Sequence, residues 1–267
     1  RRSSDLNQAE RQVLAAVDSA ILASSVEVVR LLRPFCPFPV EEDVPNLLLK
    51  AVGASPSASR ELVRTLLPLY ERPPLKGPRD KAIAAAVAQG DAALVMVFMS
   101  RRFKPDWSSV MKMVAQKANI GLLESLAPLA PKEANFSALS QAVVRNQASV
   151  VAHFFAVKTA SGASVLPLAR VRSGLLLARA LKTGCAASAQ VLRPHTDLIG
   201  AFRNLAHEEH WALADTLSAD LPEERLPEAG RLARQGLREM SILASRLHAR
   251  RLTRELPSNV CLARPRF

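Results

Sequence analysis

The sequence predicts an all-α fold, an α-solenoid of about seven to eight short helix-turn-helix units with a capping helix at the C-terminal end. Three observations predict it. One apolar template recurs along most of the chain at spacings of 25 to 38 residues. Pro outnumbers Gly, 18 to 10, and falls mainly between the copies, where it ends helices. No segment holds the apolar–polar alternation of a strand long enough to suggest a sheet.

The template is clearest in 82–99. Counted from Ala86, an apolar residue lies three before (Ile83) and a turn residue four after (Gly90); apolar pairs follow at eight and nine (Leu94, Val95) and at twelve and thirteen (Phe98, Met99). Spacings of three and four place one apolar stripe on each of two short helices around a Gly-Asp break. The first copy runs Val17, Ala20, Ser24, Val28, Val29 and Leu32. The second opens on Leu48, Ala51 and Ser55, and reaches Leu62, Val63, Leu66 and Leu67 after a three-residue insertion. Val110, Met113, Lys117, Leu122 and Leu126 form a weaker fourth, and Leu139, Ala142, Asn146, Val150, Val151, Phe154 and Phe155 a clean fifth. The sixth is Leu177, Ala180, Gly184, Ala189 and Leu192, and the seventh Phe202, Leu205, Glu209, Leu213, Ala214 and Leu217. A frayed eighth runs Ala229, Leu232, Gly236, Met240 and Ala244. A unit this small cannot bury its apolar face alone, so neighbouring copies must stack.

Leu-x-x-Ala with a turn residue four after the Ala and the two apolar pairs beyond resembles the two-helix part of an ankyrin repeat. The resemblance covers roughly 17–245 and is best in 83–99 and 139–155. No copy carries the Thr-Pro-Leu-His that opens a typical ankyrin repeat, only the third, sixth and eighth have the Gly, and the period wanders around 33. Those departures also suit a generic stack of HEAT-like or tetratricopeptide-like pairs. The resemblance implies a monomeric, non-catalytic protein–protein interaction scaffold without a cofactor, whose inner helices and connectors make a concave face. Divergent arrays of this kind are common among secreted effectors of intracellular pathogens, which implies a soluble protein, cytoplasmic or nuclear, in the host cell if secreted.

A solenoid lengthens by adding units, so 1–267 reads as one domain: 1–12 a cap or frayed start, 13–245 the repeats, 246–267 a basic cap or tail. Pro-rich connectors lie at 34–39, 73–78 and 101–107, and a long one at 156–173. Glu41, Glu42 and Asp43 are placed to start the next helix. Hydrophobic residues make up 49% of the chain but aromatics only 4%, so Ala, Leu and Val fill the interior. No run of 18 apolar residues is present, which predicts no transmembrane segment, and the opening Arg-Arg-Ser-Ser-Asp lacks the apolar core of a signal peptide. Cys36, Cys185 and Cys261 are few, odd in number and far apart, which argues against a disulfide framework.

The net charge of +12 is unevenly spread. Between Glu133 and Asp197 no acidic residue occurs over 63 positions, while Arg145, Lys158, Arg170, Arg172, Arg179, Lys182 and Arg193 are all present. Mixed charge serves solubility; the removal of one sign points to an acidic protein partner, with nucleic acid the alternative. The candidate partner-binding residues are Arg101, Arg102, Trp107, Arg145, Lys158, Arg170, Arg172, Lys182 and Arg234, drawn from the connectors and the positions just before the turns. Within this set Arg145, Arg170, Arg172 and Lys182 are expected on one side, with Lys158 near. Asp106 is placed to cap a helix that Trp107 opens, whereas Trp211 reads as core. One Tyr, and aromatics at no fixed repeat position, speak against a base-per-repeat nucleic-acid code.

Chemistry-bearing motifs are sparse. His207-Glu-Glu-His210 spaces its histidines three apart rather than the four of a zinc-protease helix, and reads as a solvated helix surface. No Gly-x-Ser-x-Gly elbow or phosphate-binding Gly-rich loop occurs, so no catalytic residues, metal or cofactor are expected. Cys185, beside Gly184, reads as inter-helix filler. The run 245–256 sets Leu247, Leu252 and Leu256 among four Arg and reads as the capping helix, or else as a nuclear-targeting or membrane-surface segment.

Overall fold

Short helices joined by tight turns account for nearly all of the computed structural model, which describes residues 8–36, 46–70, 76–99, 106–234 and 245–250. Among the described residues no strand forms; one isolated antiparallel bridge joins Lys158 and Ser164. The helices fall into two compact units, Arg1–Ala138 and Leu139–Phe267.

The first unit holds α1 (Gln8–Leu22), α2 (Val26–Leu32), α3 (Leu47–Val52), α4 (Pro56–Leu66), α5 (Lys76–Gln89), α6 (Ala92–Met99), α7 (Trp107–Gln116) and α8 (Ile120–Leu126); α9 (Lys132–Val144) spans the boundary. Helices this short are marginal alone and depend on packing. Each odd-numbered helix from α1 to α7 packs on the even-numbered helix that follows it; α1 also packs on α3, α3 on α5 and α5 on α7 to make one row, while α2, α4, α6 and α8 form a second. Leu47, Leu48, Ala51, Leu62, Ala86, Leu94, Val114 and Leu122 are almost fully buried between them. Small Ala side chains on the first helices let the rows approach closely.

The second unit holds α10 (Ala148–Ala156), α11 (Leu168–Arg172), α12 (Leu175–Lys182), α13 (Ala186–Leu192), α14 (Leu198–His207), α15 (Trp211–Ser218) and α16 (Leu226–Arg234), followed by a helical segment at 245–250. α12 packs on α13 and α14, α14 on α15 and α16, and α10 on α13. Where the sequence suggests only a long connector at 156–173, the chain folds. Thr159 N–H donates to Ala163 O at 2.9 Å and Gly162 (φ +77°) turns the hairpin. Val165 and Leu166 are buried, and α11 follows. Gly174 (φ +82°) then lies so close to α14 that a Cβ there would meet Ala201 N at 2.0 Å.

The turns carry the repeat register. Ser24, Gly90, Ala118, Asn146, Gly184 and Glu209 all adopt positive φ, between 51° and 76°. Each sits four residues after a buried Ala20, Ala86, Val114, Ala142, Ala180 or Leu205. In five of the six the next N–H reaches back to that buried residue's carbonyl, as Cys185 N does to Ala180 O at 2.8 Å, the hydrogen bond of a Schellman cap. Two sequence assignments are corrected by this. The fourth copy is anchored on Val114, not Met113: Lys117 is right-handed and Ala118 makes the turn. An Ala in the left-handed region gives no turn signal in sequence, and burial of Val114 pins it. The second copy has no insertion, since α4 follows Gly53 in a right-handed turn and already buries Ala58 and Ser59 in its first turn. Gly236 and Met240, assigned to the eighth copy, and the acidic residues 41–43 lie outside the described residues.

A further periodic feature is Pro two residues after the Leu that ends a second helix: Leu32-Arg33-Pro34, Leu126-Ala127-Pro128 and Leu192-Arg193-Pro194. Pro lacks the N–H that would continue the helix, and Arg33–Phe35 and Arg193–His195 close as 3-10 turns.

Candidate partner-binding surface

The basic residues of the acid-free stretch divide between two ends of the helix pairs in the second unit. Arg145 lies just before the Asn146 turn, and Lys158 just after α10. The nine residues of α10 separate them by about 13 Å of helix rise. Arg172 precedes α12 and Lys182 ends it. The expected single side is therefore replaced by two edges: a turn edge with Arg145 and Lys182, and a connector edge with Lys158, Arg170 and Arg172. Antiparallel hairpins make this unavoidable, because alternate loops emerge at opposite ends.

The cations differ further in what they contact. Lys182 bonds Glu208, across the neighbouring turn, and Arg193 bonds Asp220. The Lys182 ammonium, by its hydrogen bond, holds the exposed Glu208 carboxyl below its usual pKa. Arg179 donates to Ser140 Oγ at 3.1 Å. Acids outside the stretch thus neutralise part of it, a pairing that only packing reveals. Arg145, Lys158 and Arg172 are exposed and form no ion pair among the described residues; Arg170 is also exposed. Arg101 and Arg102 lie outside the described residues. Arg234 ends α16, and its side chain lies outside them too.

Trp107 opens α7, half-buried, and Asp106 caps that helix as the sequence predicts, accepting from Ser108 N at 3.0 Å and from Ser109 Oγ at 2.6 Å. The Ser109 hydroxyl bond is the main reason its carboxyl titrates below the usual value. Trp211, expected in the core, is half-buried at the first position of α15.

One element of the connector edge carries no sequence signal. Phe155, at the end of α10, stacks on His195 with ring centroids 3.9 Å apart and planes 9° from parallel. His195 is exposed and Phe155 half-buried. Burial, and then the nearby Lys158 charge, hold the imidazole below its usual pKa, so it is neutral at neutral pH. His195 is singled out only by its place after Leu-x-Pro, where Phe35 (70% exposed) and Leu129 (57% exposed) also stand.

The remaining chemical candidates resolve into structure. His207 ends α14 and His210 precedes α15, so the two straddle the Glu209 turn rather than sharing a helix surface. No group of three or more metal-ligating side chains occurs among the described residues. Cys185 is buried and donates to Val144 O at 3.4 Å, the filler role expected of it. Cys36 lines an open groove with Arg30, Arg33, Pro34, Pro68 and Leu69, and burial pushes its thiol up to about 11. At neutral pH it is a protonated, weak nucleophile. Cys261 lies outside the described residues. In the segment 245–250, Leu247 is buried, and Arg246 and Arg250 reach Asp215 at 3.2 and 3.5 Å.

No known family model matches this chain, and no curated protein or solved structure matches it either. No described helix is long and apolar enough to cross a membrane.

Proposed function

We propose that this chain is a non-catalytic protein-interaction scaffold, built in each unit from degenerate ankyrin-like helix pairs, that captures an acidic protein partner on the connector edge of Leu139–Phe267. One observation carries the site: Lys158 and Arg172 are exposed on the connector edge with no counter-ion among the described residues, in a stretch of 63 residues that has no carboxylate. The ankyrin-like reading is supported by the Schellman turns at one offset from a buried anchor and by the hairpin projecting at 158–164. Support for the capping role of 245–250 comes from Leu247, buried while two flanking arginines are consumed by Asp215. A rigid helical frame loses little ordering entropy on binding, and exposed cations steer the encounter.

Polyglutamate tests this. Lys158→Glu with Arg172→Glu is expected to weaken its binding at least about tenfold, or ~1.4 kcal/mol, with the loss concentrated in the association rate and shrinking at high salt. Arg145→Glu with Lys182→Glu, the same change of charge on the turn edge, is expected to leave binding within about twofold. Equal losses from the two edges would show attraction by net charge alone and overturn the assignment.

A further inference from the structure

The connector edge holds more than charge. In the Phe155–His195 stack Phe155 covers one face of the imidazole, and of the two residues His195 is the exposed one and Phe155 half-buried. A neutral aromatic pair at 3.9 Å is a flat, preorganised platform, and a third ring can extend it in offset-stacked geometry. Lys158 begins the hairpin just past α10 and lies close enough to bias His195 electrostatically. Its ammonium has no counter-ion among the described residues. Arg193, the other cation of this turn, is held by Asp220 and does not compete.

We propose, resting on the reading of an acidic protein partner, that this edge recognises a partner segment in which an aromatic side chain adjoins a carboxylate: the ring extends the Phe155–His195 stack and the carboxylate pairs with Lys158. A single-stranded nucleic acid would present a base and a phosphate to the same groups. The structure favours the peptide because the cations here are few. Of seven Lys and Arg in the acid-free stretch, Lys182 and Arg193 are consumed by Glu208 and Asp220, and tight nucleic-acid binding draws on roughly six to ten phosphate contacts.

The test uses the full chain and three probes: a short Glu-rich peptide with one central Trp, the same peptide with Ala in place of Trp, and a short single-stranded oligothymidylate. The Trp peptide is expected to bind about tenfold more tightly than the Ala peptide. His195→Ala, which removes an exposed side chain, and Phe155→Ala should each erase that difference, whereas Lys158→Glu should weaken the two peptides alike. In the bound state the His195 ring protons should show the upfield shifts that stacking under an indole produces. Equal binding of the two peptides, with polyglutamate still bound, overturns the aromatic inference and leaves the acidic-partner reading standing. Binding of oligothymidylate with neither peptide bound overturns the two together, as does binding of no probe.

Discussion

Substituting Gly174 by Ala tests how the second unit is assembled. Gly174 has φ +82°, and a Cβ there would lie 2.0 Å from Ala201 N and 2.4 Å from Gly200 C, backbone atoms of α14 that cannot swing aside. The close approach is reciprocal: a Cβ on Gly200 would meet Ser173 O at 2.6 Å. Bonds from Asp197 N to Arg172 O (3.1 Å) and from Asn204 Nδ2 to Ser173 O (3.2 Å) hold the two segments together. Ala in the left-handed region costs about 1–2 kcal/mol. Overpacking against backbone adds about 1–3 kcal/mol, and the lower unfolded-state entropy of Ala returns about 0.5–1 kcal/mol. Gly174→Ala is therefore expected to lose about 1–4.5 kcal/mol, centred near 3. Gly184→Ala is the matched control: φ is +70° but no atom of the described residues lies within 4 Å of its Cβ position, so only about 0–1.5 kcal/mol is expected. Urea midpoints of the two variants, read by circular dichroism, give the comparison. Equal losses would refute the close approach of Gly174 to α14 as the source of the cost.

Four other outcomes are expected. Ala118→Gly should stabilise the chain by about 0.5–1 kcal/mol by relieving positive φ, while Lys117→Gly, at a right-handed position, should destabilise it; the reverse order in thermal melts would restore the Met113 register. Ser188→Ala should raise stability by roughly 1 kcal/mol, because its buried hydroxyl has no hydrogen-bond partner among the described residues, and a fall in melting temperature would contradict that. Asp106→Ala should cost about 1 kcal/mol at neutral pH. Since the folded carboxyl titrates below its unfolded value of about 3.9, the contribution is complete above that value and fades as pH falls through the lower folded one, so the variant and the parent should converge in acid. Lys182→Glu should leave polyglutamate binding nearly unchanged, because Glu208 already occupies that ammonium; a loss as large as that of Arg172→Glu would return Lys182 to the binding surface.

The sequence by itself determined the helical class, the placement of most turns and the identity of the buried anchors. Those properties follow from local periodicity, and Ala86, Ala142 and Ala180 are buried where the pattern puts them. It also located Asp106 as a cap, because a side chain bonding the next turn of its own helix needs no tertiary partner. Tertiary structure alone decided the register of the fourth copy, where buried Val114 forces an Ala into a conformation that no local preference selects. It turned 156–173 from a long connector into a hairpin and a short helix, because Val165 and Leu166 find a core that lies elsewhere in the chain. Charge shows the same division. A count of acidic residues along the chain correctly marks a basic stretch, but which cations stay unsatisfied depends on residues far away in sequence. Glu208 and Asp220 silence Lys182 and Arg193, and hairpin geometry sends Arg145 and Lys158 to opposite ends of α10. The stacking of Phe155 on His195, 40 positions apart, was legible nowhere in the pattern, because a contact between neighbouring hairpins is fixed by packing and leaves no local trace.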